Sequence, residues 1–387
     1  MNKPVCVMKF GGSSVANVER ILNVARIIRD KTEQYMPIVV VSAMGKTTDN
    51  LIEMAYTVNE NPPPRELDML LTAGERISMA LLSMALHKFG LKARSFTGSQ
   101  VGIITENRFN RARVLEVKLL RVKESLEEGV IPVIAGFQGV STNKEITTLG
   151  RGGSDLTAVA LAISLGNVKC EIYTDVDGVY SLDPRKYPNA KRYDKISFEI
   201  LAEMSSAGAK VMHSRAVSLA AKYNLPFFIM SSFNPKKGGT MVDKFLEGPN
   251  VKGITTKDVV IFDVEGFEDG YILQRVLKDV DILNLSQDSS GRHLVFLLDI
   301  GERDKMLRIL SEERVKFVMR ENLQMISIIG WGIGSSYEIL EGIFDSIKGE
   351  HVFSLNITEM RVSVVVEKDK GEKVVENLAE RFNLLEK

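Results

Sequence analysis

The first 230 residues alternate between short β-rich runs and helical patterns, and this alternation limits the fold more than any other feature. Alternating strands and helices predict a mainly parallel sheet with helices on both faces. In such sheets ligands bind beyond the carboxyl ends of the strands. The predicted strands are Val5–Phe10, Ile38–Val41, Val130–Ala135, Glu171–Thr174 and Pro226–Met230. The helical segments include Leu156–Leu165, Ala209–Tyr223 and the 3.6-residue patterns within 15–25 and 71–82.

The pattern changes after a stretch rich in glycine and proline, Asn234–Gly253, which we interpret as a domain boundary. Beyond it, the order strand, helix, strand, strand, helix occurs twice, with a period of roughly 65 residues. The sequence therefore predicts three parts, residues 1–245, 254–320 and 321–387. The two βαββα units could pair into one continuous sheet.

Composition excludes several classes of protein. Lys and Arg together number 50, and Asp and Glu together also number 50. This balance of charge argues against a nucleic-acid partner. No apolar run approaches the length of a membrane span, and no signal peptide is apparent, so we expect no membrane association. Two cysteines cannot cross-link a chain of 387 residues, which favours the cytoplasm. The four histidines are isolated in sequence and no metal cluster is apparent, so we expect no metal site built from protein ligands alone.

A glycine pair directly follows the first predicted strand, in the segment Lys9–Ser14. A strand, two glycines and a helix N-terminus can form an anion site, because the glycines expose backbone N–H groups and the helix dipole favours negative charge. Lys9 adds a mobile positive charge. The alternative is a tight turn beside a solvated lysine, and this segment alone does not decide between them.

A second glycine-rich segment, Thr147–Asp155, precedes the predicted helix Leu156–Leu165. Ser154 and Asp155 are good N-cap residues, so a purely structural cap is one interpretation. Three glycines around Arg151 favour a ligand site, because they permit close backbone approach and arginine can bind a carboxylate through two parallel hydrogen bonds.

Two other glycine-rich segments imitate nucleotide-binding fingerprints. The segment Gly45–Thr47 lacks the earlier glycine of a P-loop, because position 40 is Val40. The segment Gly330–Gly334 lacks the third glycine of a dinucleotide fingerprint at the required spacing, and we interpret it as a tight turn.

An aspartate-rich segment starts where the predicted strand Glu171–Thr174 ends. Its aspartates, Asp175, Asp177 and Asp183, could hold magnesium or contact a nucleotide, whereas the alternative is an Asp-Gly turn. In a chain with two other candidate anion loops, the nucleotide pocket is favoured.

Taken together, these segments resemble the signatures of the aspartokinases. The likeness covers Met1 to about Met241, and the first segment alone would also fit other amino-acid kinases. The C-terminal units resemble the paired ACT domains that sense amino acids in this family. The segments that carry the resemblance are Lys9–Ser14, Leu71–Arg76, Thr148–Asp155, Tyr173–Tyr180 with Asp183–Arg185, and Gly208–His213.

The resemblance implies an α/β fold: a three-layer αβα amino-acid-kinase domain followed by two βαββα, ferredoxin-like ACT units. It implies transfer of the γ-phosphoryl group of ATP, bound with Mg²⁺, to the β-carboxylate of L-aspartate. The products are 4-phospho-L-aspartate and ADP, in the first step of lysine, threonine and methionine biosynthesis. It also implies a homodimer through the ACT-like units and an amino-acid effector bound there.

The resemblance also implies roles for individual residues. Lys9 corresponds to the lysine that steadies the transferring phosphoryl group, and Asp155 to a catalytic aspartate that organises this lysine. Aspartate-binding positions fall on Thr48, Glu75, Arg151 and Ser154. ATP-binding positions fall on Lys9, Gly11, Gly12, Ser13, Thr174, Asp175, Tyr180, Arg185, Lys210 and Val211.

These roles agree with the chemistry. Phosphoryl transfer requires mainly positioning and charge stabilisation, and an aspartate side chain is already ionised at neutral pH, since its pKa is about 3.9. The reaction therefore needs no general base. Arg151 would bind the α-carboxylate of the substrate and Glu75 its amino group.

Two alternatives remain at this point. Another amino-acid or nucleotide kinase of the same fold is disfavoured by Glu75 and the Arg151 segment, and a non-catalytic amino-acid sensor is disfavoured by Lys9 and Asp155. The ACT-like units depart from the family pattern, because neither Glu268–Gly270 nor Ser335–Tyr337 contains proline. We therefore expect weak feedback control by lysine or threonine.

Overall fold

The structure, a computed structural model, describes residues 3–245, 248, 250–265, 270–287 and 293–386. The chain forms two compact units that are each discontinuous in sequence. The first contains Met1–Tyr180, Arg192–Ser206 and Lys210–Leu246, and the second contains Ser181–Lys191, Ala207–Ala209 and Glu247–Lys387. The three parts predicted from the sequence stay a prediction.

The first unit contains eight helices and fourteen strands among the described residues. The strands are β1 (Val5–Phe10), β2 (Met36–Val41), β3 (Ala93–Phe96), β4 (Ile103–Thr105), β5 (Val114–Val117), β6 (Ile131–Ala135), β7 (Gln138–Ser141), β8 (Ile146–Thr148), β9 (Lys169–Thr174), β10 (Val179–Tyr180), β11 (Arg192–Tyr193), β12 (Lys195–Ser197), β13 (Phe227–Ser231) and β14 (Gly239–Asp243). The helices are α1 (Val18–Lys31), α2 (Thr47–Val58), α3 (Pro64–Leu71), α4 (Ala73–Lys88), α5 (Leu120–Glu127), α6 (Gly153–Ser164), α7 (Phe198–Ala207) and α8 (Ser214–Lys222).

The main sheet of the first unit has eight strands in the order β12-β14-β13-β9-β1-β2-β6-β3. All neighbouring strands are parallel except β13 and β14, which are antiparallel. This confirms the mainly parallel sheet. Strands β9, β1 and β2 lie side by side at its centre, so their carboxyl ends meet at one edge.

Helices cover both faces of this sheet. On β1, Cys6, Met8 and Phe10 pack in one buried cluster with residues of α1 and α4. Because side chains alternate along a strand, Val7 and Lys9 point to the other face, where α6 packs on β1, β2 and β9. The three-layer αβα arrangement is therefore confirmed, and Lys9 lies on the α6 side.

Helices α3 and α4 form a nearly continuous stretch, Pro64–Lys88, which is long and apolar enough to cross a membrane by length and composition alone. Of its most apolar window, 56% is buried inside the protein. The core helix of a soluble protein passes the same test, and α4 packs on β2, β3 and β6. This stretch is weak evidence for a membrane span.

A second, smaller sheet of the first unit has the order β5-β4-β7-β8. Its strand β8 ends at Thr148 and leads directly into the glycine-rich segment around Arg151. This sheet therefore positions one of the two predicted anion loops.

In the second unit the predicted order strand, helix, strand, strand, helix occurs two times in succession. Its strands are β15 (Asn250–Glu265), β16 (Ile282–Gln287), β17 (His293–Asp299), β18 (Phe317–Trp331), β19 (Ser354–Ile357) and β20 (Arg361–Glu367). Its helices are α9 (Gly270–Asp279), α10 (Arg303–Glu312), α11 (Tyr337–Ser346) and α12 (Lys368–Arg381).

The two repeats pair into one antiparallel sheet in the order β16-β17-β15-β18-β20-β19, as predicted. The long strands β15 and β18 pair over almost their whole length, with a register shift between Val259 and Ile261. Before the shift β15 pairs with the part of β18 that adjoins β20, and after it β15 also adjoins β17. Each long strand therefore pairs with strands of both repeats.

Two expectations need correction. Helix α8 begins at Ser214, not at residue 209, because His213 is extended and caps it. The supposed boundary loop Asn234–Gly253 contains β14, a strand of the main sheet, and the start of β15. Val259–Val264 of β15 and Met325–Ile329 of β18 lie in one sheet, with strands of their own chain on both sides.

The segment Gly330–Gly334 forms the predicted turn, with Gly332 at a φ of 63°. The first ACT-like loop, from Glu268 to Gly270, lies largely outside the described residues, because Glu268 and Asp269 are not described. In the second loop, the hydroxyl of Ser336 accepts a hydrogen bond from the backbone N–H of Ile339 and caps α11.

Candidate active site

A buried ion pair lies at the carboxyl end of β1. The ammonium of Lys9 is 2.6 Å from Oδ1 of Asp155, and the two side chains are 11% and 9% exposed. Asp155 lies in the first turn of α6, where the helix dipole favours a carboxylate. Strand β1 and the N-terminus of α6 thus bring together two residues that are 146 positions apart in sequence, as the aspartokinase resemblance implied.

The glycines after β1 allow the backbone to pass close to two neighbouring loops. The Gly11 N–H donates to the carbonyl of Tyr173 at the end of β9. A Cβ atom on Gly12 would lie 2.9 Å from the carbonyl oxygen of Ala43, which follows β2. A Cβ on Gly11 would lie 3.5 Å from the Lys9 ammonium. The predicted phosphate cradle is therefore adjacent to Lys9, and Ser13 is exposed at its outer side.

Glu75 is a buried carboxylate in the first turn of α4. Its Oε1 accepts a hydrogen bond from the backbone N–H of Ala43 at 3.1 Å, whereas its Oε2 is buried without a hydrogen-bond partner among the described residues. Burial raises the pKa of Glu75 from its ordinary value of 4.5 to about 7, against the opposing effect of the Ala43 N–H. An unsatisfied buried oxygen is suited to accept hydrogen bonds from a cationic ligand.

The segment around Arg151 bends tightly between β8 and α6. Gly150 and Gly152 have φ values of 78° and 68°, a region that glycine adopts more readily than other residues. A Cβ on Gly152 would lie 2.0 Å from Cβ of His213, so no larger residue fits there. Arg151 is exposed at the tip of the turn, and Ser154 is buried at the start of α6.

Several of the predicted nucleotide-binding residues lie at the ends of β9 and β10. The hydroxyl of Thr174 donates to Oδ1 of Asp175, and the hydroxyl of Tyr180 donates to Oδ1 of Asp177. The ammonium of Lys237 lies 3.8 Å from Asp177 and, with the Tyr180 hydroxyl, holds the pKa of Asp177 below its ordinary value despite partial burial.

The remaining predicted site residues are less closely connected. Thr48 is half-buried in the first turn of α2. Lys210 is exposed and Val211 half-buried in the loop that precedes α8. Arg185 belongs to the second unit, where its Nε lies 3.1 Å from Oδ1 of Asp183. Their ligand contacts stay predictions.

His213 contacts Asp155, and the sequence did not reveal this contact. Its backbone N–H donates to Oδ2 of Asp155 at 3.4 Å, while its Nδ1 accepts from the backbone N–H of Arg215. Burial, together with the nearby charge of Arg215, lowers the pKa of His213 below its ordinary value. The Gly208–His213 segment was recognisable as a signature, but a backbone donor gives no side-chain signal in a sequence.

The chain is similar to known proteins over nearly its whole length. A model of the amino acid kinase family matches residues 4–231. An aspartokinase of Mycolicibacterium smegmatis is 41% identical over 403 residues, which cover 98% of this chain and 96% of that protein. The chain belongs to the aspartokinase family. The enzyme class that the sequence motifs implied is thereby confirmed.

Solved structures of aspartokinases share the fold. The crystal structure of E. coli aspartokinase III in complex with aspartate and ADP superposes with a TM-score of 0.82 at 24% identity and covers 98% of this chain and 100% of its own. The same enzyme in complex with lysine and aspartate gives a TM-score of 0.78 at 25% identity, covering 99% and 100%. The aspartokinase fold therefore extends over both units of this chain.

Proposed function

We propose that this aspartokinase binds its two substrates around the carboxyl ends of β9, β1 and β2, with ATP over the glycine cradle and L-aspartate between Glu75 and Arg151. The observation that carries the proposal is the buried Lys9–Asp155 pair at the end of β1, beside glycines that leave the backbone accessible. Ligands of open α/β sheets bind at this edge, outside the carboxyl ends of the strands.

Glu75 is the proposed partner of the substrate ammonium. One of its oxygens is fixed by the Ala43 N–H, which leaves the other to accept a hydrogen bond from the ligand. A hydrogen bond between charged groups is stronger than one between neutral groups, and it would satisfy an otherwise unpaired buried oxygen. Binding of the ammonium should therefore favour the ionised form of Glu75.

Lys9 is the proposed electrostatic stabiliser of the reaction. As the β-carboxylate oxygen of aspartate attacks the γ-phosphorus of ATP, the bond to the β,γ-bridging oxygen breaks and negative charge shifts toward ADP. A positive charge held rigidly near this centre lowers the barrier without reorganisation. Asp155 holds the Lys9 ammonium in place, and the His213 N–H in turn fixes Asp155.

Magnesium is proposed to enter with the nucleotide. No group of three or more His, Cys, Asp or Glu side chains that could hold a metal ion occurs within the described part of the chain. Mg²⁺ often binds through substrate phosphates and one or two carboxylates. Asp175 and Asp177 are the proposed carboxylate ligands. When bound, Mg²⁺ would neutralise phosphate charge.

A direct assay tests the proposed reaction. Purified protein incubated with ATP, magnesium and L-aspartate is expected to form an acyl phosphate, which hydroxylamine traps as a hydroxamate. Glutamate and N-acetylglutamate are expected to give much less product under the same conditions. If glutamate were the better substrate, the assignment of aspartate as the phosphoryl acceptor would be wrong.

The role of Arg151 is tested by Arg151→Lys, which keeps the charge but removes the planar fork of the guanidinium. We expect the KM for aspartate to rise by about tenfold, equivalent to about 1.4 kcal/mol. The KM for ATP should change by less than about twofold, an estimate that follows from placing Arg151 on the aspartate side.

Steady-state kinetics with each substrate varied in turn measure both constants for Arg151→Lys. Arg94→Lys is a matched control, because Arg94 is exposed on β3 and pairs with Glu128. Equal losses for aspartate and ATP in Arg151→Lys would move this residue to the nucleotide side.

We also propose that the second unit carries the dimer interface and an effector site. Strands β16 and β19 are the two edges of the six-stranded sheet, and Leu285, Leu355 and Ile357 on them are exposed. Open edges of this kind can pair with a second chain, which supports a homodimer through the ACT-like units. The lysine complex of E. coli aspartokinase III supports an amino-acid effector there.

The proposed pathway and location follow from chemistry. The product, 4-phospho-L-aspartate, is an activated acid, and we propose that it serves lysine and threonine biosynthesis. Cys6 and Cys170 are both free and buried. Free thiols fit a reducing compartment, so the cytoplasm is the proposed location.

A further inference from the structure

Asp68 is a fully buried carboxylate on α3 that the proposed reaction does not use. Its Oδ1 accepts from the hydroxyl of Thr148 at 2.6 Å, and its Oδ2 accepts from the backbone N–H of Thr148 at 2.9 Å. The backbone N–H of Asn110 is shared between the two oxygens, at 3.1 and 3.0 Å. Within the described residues Asp68 has no cationic partner, so these donors alone compensate its charge.

The donors to Asp68 come from two loops. Thr148 ends β8 and begins the loop that carries Arg151, whereas Asn110 lies in the loop between β4 and β5. The N–H of Ala112, in that second loop, also donates to the carbonyl of Thr148 at 2.9 Å. Asp68 therefore fastens both loops to α3 and to each other.

Arg215, in the first turn of α8, joins the same two loops from another side. Its guanidinium donates to the carbonyl of Leu149 at 2.6 Å and to the carbonyl of Ala112 at 3.2 Å. The backbones approach so closely that a Cβ on Gly150 would lie 3.0 Å from the carbonyl oxygen of Asn110. The backbone of residues 148–150, directly before Arg151, is thus held by Asp68, by Arg215 and by the loop of Asn110.

We propose that Asp68 is a positioning residue of the aspartate site: its buried carboxylate fixes the loop of Thr148 to Arg151 against the loop of Asn110, and so sets the position of the Arg151 side chain. This inference rests on the proposed role of Arg151 in binding the α-carboxylate of aspartate. Asp68 itself does not touch the substrate.

The chemistry of a carboxylate explains why an acidic side chain occupies this buried position. Two carboxylate oxygens offer about four acceptor sites, enough for the three N–H and O–H groups that converge here. Burial raises the pKa of Asp68, and the hydrogen bonds from Thr148 and Asn110 counteract this effect. A buried acid that makes only hydrogen bonds to two loops contributes mainly to the geometry of those loops.

The test compares Asp68→Ala and Asp68→Asn in the full chain. Alanine removes every acceptor, and we expect the KM for aspartate to rise at least tenfold while the KM for ATP stays within twofold. Asparagine keeps the volume and one carbonyl oxygen that can accept from Asn110 and Thr148, so it should restore part of the loss. A purely structural role would not separate the two KM values in this way.

Val122→Ala controls for a general loss of stability. Val122 is fully buried in α5, which packs on β6 and is not part of the proposed site. This variant should lower the melting temperature but leave both KM values within twofold. If Asp68→Ala does not fold, Asp68→Asn decides the question, with an expected increase of threefold or more in the KM for aspartate.

The outcomes separate the inference from the proposed function. If Arg151→Lys raises the KM for aspartate but the Asp68 variants do not, the positioning role is overturned and the proposed site stands. If the Asp68 variants raise both KM values equally, Asp68 is merely structural and the inference is also overturned. If the Asp68 variants raise only the KM for aspartate and Arg151→Lys has no effect, the assignment of Arg151 is wrong. The inference that Asp68 acts through Arg151 is then overturned with it.

Discussion

Replacement of Lys9 by alanine is expected to lower kcat by about 100-fold or more, the effect typical of removing one preorganised electrostatic donor. The proposed role of Lys9 is to stabilise charge in the transition state, so the KM for ATP should change much less. The variant also leaves Asp155 without its 2.6 Å ion-pair partner in a site where both side chains are almost fully buried.

The Lys9 experiment must separate catalysis from stability. Removal of one partner of a buried pair destabilises a protein by about 3–5 kcal/mol, although the His213 N–H still donates to Asp155. Kinetics should therefore be measured well below the melting temperature of Lys9→Ala, determined in parallel.

Lys46→Ala is the matched control for Lys9→Ala. Lys46 is exposed at the start of α2, in the segment that only imitates a P-loop. We expect its kcat to stay within about twofold of the unaltered protein, since the missing glycine excludes a P-loop there. A Lys9→Ala variant with nearly normal kcat and weakened ATP binding would show that Lys9 only anchors phosphate.

Replacement of Glu75 by glutamine is expected to raise the KM for aspartate by roughly 30- to 100-fold at pH 8. The change keeps the oxygen that accepts from the Ala43 N–H but replaces the other oxygen by an amide group that cannot accept from an ammonium. That increase corresponds to a loss of about 2.1–2.8 kcal/mol, within the range for hydrogen bonds to charged groups.

The same residue should make aspartate binding depend on pH. Because the pKa of Glu75 is raised to about 7, the Glu75 carboxyl of the free enzyme is partly protonated at neutral pH. The ammonium requires the ionised form, so the KM for aspartate should rise as the pH falls from 8 to 6. In Glu75→Gln the KM should be nearly constant over this range, and a pH dependence equal to that of the unaltered protein would show that another group titrates.

The stability of the protein should change with pH in the opposite direction. A carboxyl whose pKa is raised on folding binds more protons in the folded than in the unfolded state between its two pKa values. The contribution of Glu75 to stability is therefore fully present below its ordinary pKa of 4.5 and is lost as the pH rises through about 7. Urea unfolding at pH 5 and pH 8 should show a larger decrease for the unaltered protein than for Glu75→Gln.

The sequence predicted the elements that bury an apolar surface. Strand β1 was recognisable because four of its six residues, Cys6, Val7, Met8 and Phe10, are buried and apolar. Helix α6 was recognisable because most of its twelve residues are apolar, and ten of the twelve are buried. Helix α2 was not among the predicted helices, and none of its residues is buried. Helix α8 was predicted too long, because the turn before it depends on the contact between His213 and Gly152.

The sequence by itself determined the family, the alternation of strands and helices, the repeated βαββα order and the residue types of the two glycine loops, because these features are local in the chain. The resemblance implied that Asp155 organises Lys9, and the tertiary structure supplied the distance between them. Only the tertiary structure decided that Glu75 has one satisfied oxygen and one without a partner among the described residues, and that Asp68 joins two loops. The donors to Asp68 lie 42 and 80 positions away. Contacts over such distances depend on how the strands are ordered in the sheets, and periodicity along one segment carries no information about that order.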